Sequence, residues 1–434
     1  MKTLRQYSQI EFQPVERQRQ VQAHRLQQHV SYCARHSPYY RSLFRQTGID
    51  PESVTLDSLS EFPLTDKSSF AEHNARFSAV PPSRVVDIVL SSGTTGKPTC
   101  VMYSERDLRR LAYNEELSFA ACGVTRSDIA LLTCTMDRCF IAGLAYFLGI
   151  RALGAAAIRN GHGTLASHME IIRTLCPTVI VGVPSFLRKL AQHLADHGTV
   201  PAATSVRKLV CIGEPIRDQR MELLPMGLDL TRLWNASIHS TYASSECITT
   251  FCECTACRGG HLHPDLAIIE ILDDKGRALP PGNVGEIVLT PLAIQAMPLL
   301  RFKTGDISFL MIEPCSCGRL SPRLGPILGR KQQLMKVRGT TLYPQAVFAA
   351  LDEIPGIGEY YLEACSKESL SDELTLHVGG RHGGLAVEEI QERLQARLRV
   401  RLPIVVDPEE ILRQHICSPE SRKPVRFIDR RNER

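Results

Sequence analysis

The run Ser91–Ser92–Gly93–Thr94–Thr95–Gly96–Lys97–Pro98–Thr99 is built to hold an anion. Its two glycines allow a tight loop in which backbone N–H groups converge on one charge. The hydroxyls of Ser91, Ser92, Thr94 and Thr95 add donors, Lys97 adds charge, and the sum suits the oxygens of a triphosphate. The spacing differs from that of a Walker A loop, which sets four residues between its glycines. A second group is rich in sulfur. Cys252, Cys254 and Cys257 have His261 and His263 close behind, and Cys315–Ser316–Cys317–Gly318–Arg319 follows. Short paired Cys/His spacings are those of metal knuckles. Two knuckles separated by a β segment suit a structural Zn²⁺, which takes four nitrogen or sulfur ligands in a tetrahedron and keeps no open position for catalysis.

The elements that carry these groups follow from periodicity. Residues 85–90 are a β-branched run directly before the anion loop and read as a strand. Residues 18–44 have apolar positions at helical spacing and stop before Gly48, and residues 60–67 turn into another short helix. Further on, strands are expected at 129–134, 178–183 and 208–212, and helices at 108–122, 140–153, 169–175 and 184–197. That alternation predicts a mostly parallel sheet in layered α/β form. Residues 266–289 read as an antiparallel β subdomain. After Gly329–Arg330 come a helix at 343–351, strands at 360–364, 373–378 and 404–406, and a helix at 387–398. The expected fold class is therefore α/β. Residues 1–329 form a large layered α/β N-terminal domain with a β subdomain and the zinc knuckle at about 252–317, and residues 330–434 form a small α+β C-terminal domain.

Several strings, in order, resemble the adenylate-forming superfamily of acyl-CoA synthetases and adenylation domains, in its phenylacetate–CoA ligase-like branch. They are the phosphate loop from Ser92 to Pro98, Gly213–Glu214–Pro215 followed by Arg220, Tyr242–Ala243–Ser244–Ser245–Glu246, and Arg301–Phe302–Lys303–Thr304–Gly305–Asp306. Gly329–Arg330, Arg338–Gly339, Tyr343–Pro344 and the run from Lys423 to Asp429 complete the set. The resemblance spans roughly residues 60 to 430.

The resemblance implies roles. Ser91, Ser92, Gly93, Thr94, Thr95, Gly96 and Lys97 would cradle the β- and γ-phosphates of ATP and then pyrophosphate. Glu214 and Pro215 would border the adenine, Tyr242 would lie against its face, and Ser245 belongs to the same segment. Glu246 would hold Mg²⁺, Asp306 would accept from the ribose hydroxyls, and Arg330 would contact the ribose or a phosphate. Lys423 would stabilise charge as the carboxylate meets the α-phosphate. Lys423, Glu246 and Lys97 are thus the implied catalytic residues. Relatives with a similar knuckle pair point to Cys254, His261, Cys315 and Cys317 for zinc, with Cys257 competing for the place of His261, so four of these five are expected as ligands. Residues 138–143, 183–185 and 213–215 would border the acyl pocket, where Ala142, Gly143 and Ala145 leave room for a flat ring. The small domain would turn about the hinge between two half-reactions. The chain departs from the pattern at Ala243, Ser245, Gln332, residues 340–343 and Arg422.

Composition narrows the classes. The chain has 434 residues, 51 basic against 46 acidic, and 6% aromatics. A net charge of +5 without aromatic–basic interleaving argues against nucleic acid as a partner. Part of the basic excess lies at 422–434, which reads as a solvated tail. No run of about 18 apolar residues spans a membrane, and no signal peptide is seen. A cytoplasmic enzyme is expected, with Cys122, Cys176 and Cys211 as small core residues. The reading is an ATP-dependent ligase that adenylates a carboxylic acid, aromatic by preference, and passes it to coenzyme A. Transfer to a carrier-protein thiol or an amine is the alternative, a non-catalytic nucleotide-binding protein is a third class, and a homodimer stands beside the monomer as an assembly.

Overall fold

The computed structural model describes residues 10–91, 99–337, 340–354, 357–366, 372–379, 386–416 and 425–431. The chain divides into two compact units, Met1–Leu223 with Gly227–Ile327, and Leu328–Arg434 with Leu224–Met226.

The larger unit begins with two helices, Val15–His36 and Pro38–Thr47, where the periodicity suggested one. Proline has no N–H and disfavours a helical residue before it, so Ser37 turns extended (φ −86°, ψ 118°) and the helix restarts at Pro38. A six-stranded sheet lies at the heart of this unit. Its order is Ala156–Arg159, Ile129–Leu132, Val179–Gly182, Lys208–Ile212, Ser237–Ser244, Thr249–Cys252. The first five are parallel and the last antiparallel. Val179–Gly182 is buried at every position and Lys208–Ile212 at all but the first, as befits apolar strands covered on both faces. Phe119, Tyr146, Ile150, Val181 and Val210 share one of its cores.

Two β pieces complete the unit. Val85–Ser91 pairs antiparallel with Thr99–Ser104, and the register ends at Ser91 opposite Thr99, the residues on either side of 92–98. Ala267–Leu272, Gly285–Pro291 and Phe302–Ser308 are antiparallel neighbours, as expected for the β subdomain. Among the described residues, no helix is long and apolar enough to cross a membrane.

The smaller unit has a four-stranded sheet, ordered Ile404–Asp407, Asp372–Gly379, Tyr360–Ser366, Phe427–Asp429. Helices Pro344–Asp352, Val387–Leu398 and Glu409–Ile416 belong to it. The basic C-terminal stretch is not a solvated tail where it is described. Phe427–Asp429 runs parallel beside Leu362–Ala364, and Arg426, Arg430 and Arg431 pair with Glu359, Glu363 and Asp372. Arg431 also donates to the carbonyls of Gln332 (2.8 Å) and Leu334 (2.7 Å), which fastens the chain just after Gly329–Arg330. Cys122 and Cys211 are buried as expected, but Cys176 is exposed. It ends helix Leu165–Leu175 in a left-handed conformation (φ +47°) that turns it away from the core.

Candidate functional site

In an open parallel sheet, ligands sit outside the carboxyl ends of the strands. Four of the strands here lead at that edge into residues singled out above. Val179–Gly182 runs into Pro184 and Ser185, Lys208–Ile212 into Gly213, Glu214 and Pro215, and Ser237–Ser244 carries Tyr242 and leads to Ser245 and Glu246. Ile129–Leu132 leads into the loop of Arg138 and Cys139, both at positive φ, and the Cys139 carbonyl accepts from the Leu90 N–H (3.0 Å). That bond ties the loop to the hairpin ending at Ser91.

Glu214 is held by a partner the sequence did not announce. Ser185, in the first turn of helix Pro184–Asp196, gives it a backbone N–H (2.9 Å) and a hydroxyl (2.7 Å). The helix N-terminus stabilises a carboxylate there.

Asp306 comes from the β subdomain and meets Tyr242. The Tyr242 hydroxyl donates to Asp306 Oδ2 at 2.8 Å. Burial, with the Asp306 charge beside it, pushes the phenol well above its usual range, so it remains a donor. The Thr–Gly–Asp string places the carboxylate. Thr304 Oγ1 donates to the Ile287 carbonyl and accepts from the Asp306 N–H, and Gly305 takes a φ of +79° that a side chain would resist.

Glu246 lies in the turn after Ser237–Ser244. Ser244 donates to its Oε2 (3.2 Å), and Lys67 Nζ stands 4.0 Å from its Oε1. The Tyr103 hydroxyl donates to the Ser245 carbonyl (2.9 Å). Lys67 went unnoticed in the sequence, although Asp66 before it is a helix cap and accepts from the Ser69 N–H (2.8 Å). Neighbouring bonds pin this turn. Thr65 pairs through its backbone with Arg301 and Lys303, and Arg301 donates to the carbonyls of Ser60 and Phe62. Arg301 is also paired with Glu270, so its role is to build the site and not to face it.

Arg330 is exposed and belongs to the smaller unit. Ser92, Gly93, Thr94, Thr95, Gly96, Lys97, Arg338, Gly339 and Lys423 lie outside the described residues. Of the small residues expected to widen an acyl pocket, Gly143 and Ala145 are closely packed. A Cβ on Gly143 would meet the Thr135 carbonyl at 2.2 Å, and Ala145 is 4% exposed within the core.

Cys254, His261, Cys315 and Cys317 converge, with their ligand atoms all within 4.8 Å of one another. Cys254 Sγ lies 3.6 Å from Cys315 Sγ, and Cys317 Sγ lies 3.4 Å from His261 Nε2. A tetrahedron with metal–sulfur bonds of about 2.3 Å has edges of roughly 3.7 Å, so the group fits one ion. His261 Nδ1 faces Ser321 Oγ (3.1 Å), which turns Nε2 toward the thiols. Burial lowers His261 to about 4, leaving a neutral imidazole. Burial raises the Cys254 thiol. At Cys317 burial also raises, but the Arg319 N–H and guanidinium, together with the Cys315 and Cys254 thiols, outweigh it and hold that thiol below its usual value. Cys257 is not part of the group. It takes a φ of +53°, and its sulfur lies 3.6 Å from His239 Nδ1. Cys252 is core, and His263 is taken by Glu11.

The elements explain why these four meet. Cys254 follows strand Thr249–Cys252, His261 sits on Gly260–His261 opposite Arg323, and Cys315 and Cys317 lie between strands Leu310–Met311 and Arg323–Leu324.

A model of the AMP-binding enzyme family matches residues 17–291, and one of the AMP-binding enzyme C-terminal domain matches residues 339–431. The phenylacetate-coenzyme A ligase of Thermus thermophilus is 35% identical over 377 residues, covering 85% of this chain and 83% of its own length. That of Escherichia coli is 26% identical over 434 residues, covering 98% and 97%. In fold, the chain is similar to 2-hydroxyisobutyryl-CoA ligase in the postadenylation state, with a TM-score of 0.85 at 23% identity over 97% of this chain and 91% of that one.

Proposed function

We propose, from the premise that this chain belongs to the AMP-binding enzyme family, that it joins an aromatic carboxylic acid to coenzyme A. It is an AMP-forming acid–thiol ligase. A carboxylate repels nucleophiles, so it must first be activated. Its oxygen attacks the α-phosphorus of ATP, the bond to the β-phosphate oxygen breaks, and pyrophosphate leaves. The resulting acyl-adenylate is a mixed anhydride. The coenzyme A thiolate then attacks the carbonyl carbon, and AMP departs.

The observation that carries this reading is the pairing of Tyr242 with Asp306, in a region that also holds Glu246 at the carboxyl end of the parallel sheet. In this reading Asp306 binds the ribose hydroxyls, and Tyr242 both orients Asp306 and offers its ring to the adenine. Glu214 and Pro215 border the base, held by Ser185. Glu246 holds Mg²⁺, which supplies charge neutralisation on the phosphates when bound. Ser91, the loop that follows it and Lys97 grip the outer phosphates, while Arg330 and Lys423 serve the nucleotide from the smaller unit's sequence. Displacement at phosphorus asks mainly for positioning and charge neutralisation, which these groups supply. Cys254, His261, Cys315 and Cys317 hold a structural Zn²⁺ that cross-links the edge of the sheet to the 315–321 turn. The enzyme works in the cytoplasm, where ATP and coenzyme A meet reduced thiols.

The test is a panel of carboxylic acids with two readouts. Acid-dependent pyrophosphate release without coenzyme A establishes the first half-reaction. AMP release that then requires coenzyme A establishes the second. Full turnover with a carrier protein and none with coenzyme A would overturn the acceptor, and an aliphatic acid preferred over every aromatic one would overturn the substrate class.

A further inference from the structure

Glu11 lies far from the sulfur cluster in sequence and beside it in space. It is 1% exposed. Its carboxylate meets His263 Nδ1 through one oxygen and Arg319 Nε through the other. Its carbonyl accepts from the N–H groups of Leu320 (2.7 Å) and Ser321 (3.2 Å). Arg319 spreads over the Phe12 ring, 4.8 Å from its centre, and its Nη1 lies 3.7 Å from Cys317 Sγ. Ser321 in turn faces His261 Nδ1. The residues that touch two of the four sulfur and nitrogen ligands from outside are therefore both fixed by residue 11.

We propose that Glu11, acting through Arg319 and the 319–321 backbone, is a positioning residue for the Cys254/His261/Cys315/Cys317 metal site, and that the metal and the seat of residues 10–13 stabilise each other. This rests on the reading of that cluster as a zinc site. A thiolate ligand that accepts from a guanidinium is held in place and keeps part of its charge balanced. An imidazole ligand needs its other nitrogen fixed, and partners of this outer kind change metal affinity about 10–100-fold when removed. Coupling works in both directions by necessity. A metal that fixes Cys315 and Cys317 fixes the turn whose N–H groups hold the Glu11 carbonyl.

Two measurements on the full chain test this. In the first, Zn²⁺ affinity is read by competition with a chromophoric chelator for wild type and Glu11→Gln, which keeps the size and removes the charge. The expected result is a roughly 10–100-fold weaker affinity in the variant; equal affinities overturn the proposal. The second needs no variant. Amide exchange of residues 10–13 is followed in wild type with zinc and after chelation, and is expected to rise at least about tenfold on metal loss. Unchanged protection there overturns the coupling. Wild type that binds no zinc overturns the metal reading itself and the proposal with it, an outcome distinct from zinc bound equally by both proteins.

Discussion

Lys67 faces Glu246 across 4.0 Å, and both side chains are mostly shielded from water. In the proposed reading Glu246 would hold Mg²⁺, which would leave the Lys67 ammonium for a phosphate oxygen. Lys67→Ala should therefore raise KM for magnesium ATP about tenfold, the worth of one charge-assisted hydrogen bond, and Lys67→Arg should recover part of it. An unchanged KM in pyrophosphate release would remove Lys67 from the nucleotide site. Glu115 illustrates a different residue-scale effect. It is buried with the Thr250 hydroxyl as partner, and burial raises its carboxyl to about 7. In the unfolded chain the same group titrates near 4.5. Below that value both states are protonated and it costs nothing. As pH climbs toward 7 the unfolded state loses its proton first, so stability falls, and above 7 the full cost of roughly 3 kcal/mol is present. Glu115→Gln should flatten this fall, seen as a gain in Tm over wild type at pH 8 and little difference at pH 4.5; parallel pH profiles would refute it. The motif residues Tyr242, Glu246 and Asp306 could be read from the sequence because their strings resemble those of a known family, not because their types stand out where they are. Lys67 and Glu115, and the hold of Ser185 on Glu214, could not, because each looks ordinary until its partner from another segment arrives.

Helix Glu105–Ala121 shows the same limit one level up. Asp107, Arg110, Asn114, Glu115 and Ser118 recur at helical spacing, and all are buried. A hydrophobic pattern treats such a stripe as the wet face. Here it is an internal scaffold. Arg110 donates to the carbonyls of Ile248, Leu266 and Leu292, and Asn114 both gives to and takes from the Thr250 backbone, so the helix holds the strand beside Glu246. Three of the five parallel strands, Ile129–Leu132, Val179–Gly182 and Lys208–Ile212, were legible because apolar runs between turn signals have few other uses. Thr99–Ser104, Ser237–Ser244 and Thr249–Cys252 were not read as strands, since their Ser, Thr and Cys content carries no alternation. At the start of the smaller unit, Gly329 makes room for the Tyr343 ring; a Cβ there would lie 2.3 Å from its Cδ1. Gly329→Ala should cost about 1–3 kcal/mol by overpacking, read as a lower Tm for the transition of that unit. A variant as stable as wild type would mean that Tyr343 yields freely.

Over the whole molecule, each unit has its own apolar clusters, one set drawn from residues up to Leu324 and another from Met335 to Leu402. Two thermal transitions are expected, and the Cys254/His261/Cys315/Cys317 group proposed to hold zinc lies in the larger unit. Stripping zinc with a chelator should lower the transition of the larger unit and leave the other in place, because a ligand that binds only the folded state stabilises only what it binds. A shift of both by equal amounts would contradict independent folding. The division into a layered α/β part and a smaller α+β part was legible from element order. The clamp between residue 11 and the second knuckle was not, because nothing local links positions so far apart in the chain. The loop that follows Ile129–Leu132 opens a practical route into the chemistry. Cys139 and Cys176 are the exposed thiols among the described residues, whereas most of the others are shielded. With Cys176 and Cys417 changed to serine, a maleimide fluorophore would go first to Cys139, one hydrogen bond from the hairpin at Leu90. Its emission would then track nucleotide arrival in real time, without a coupled enzyme or a radioactive label.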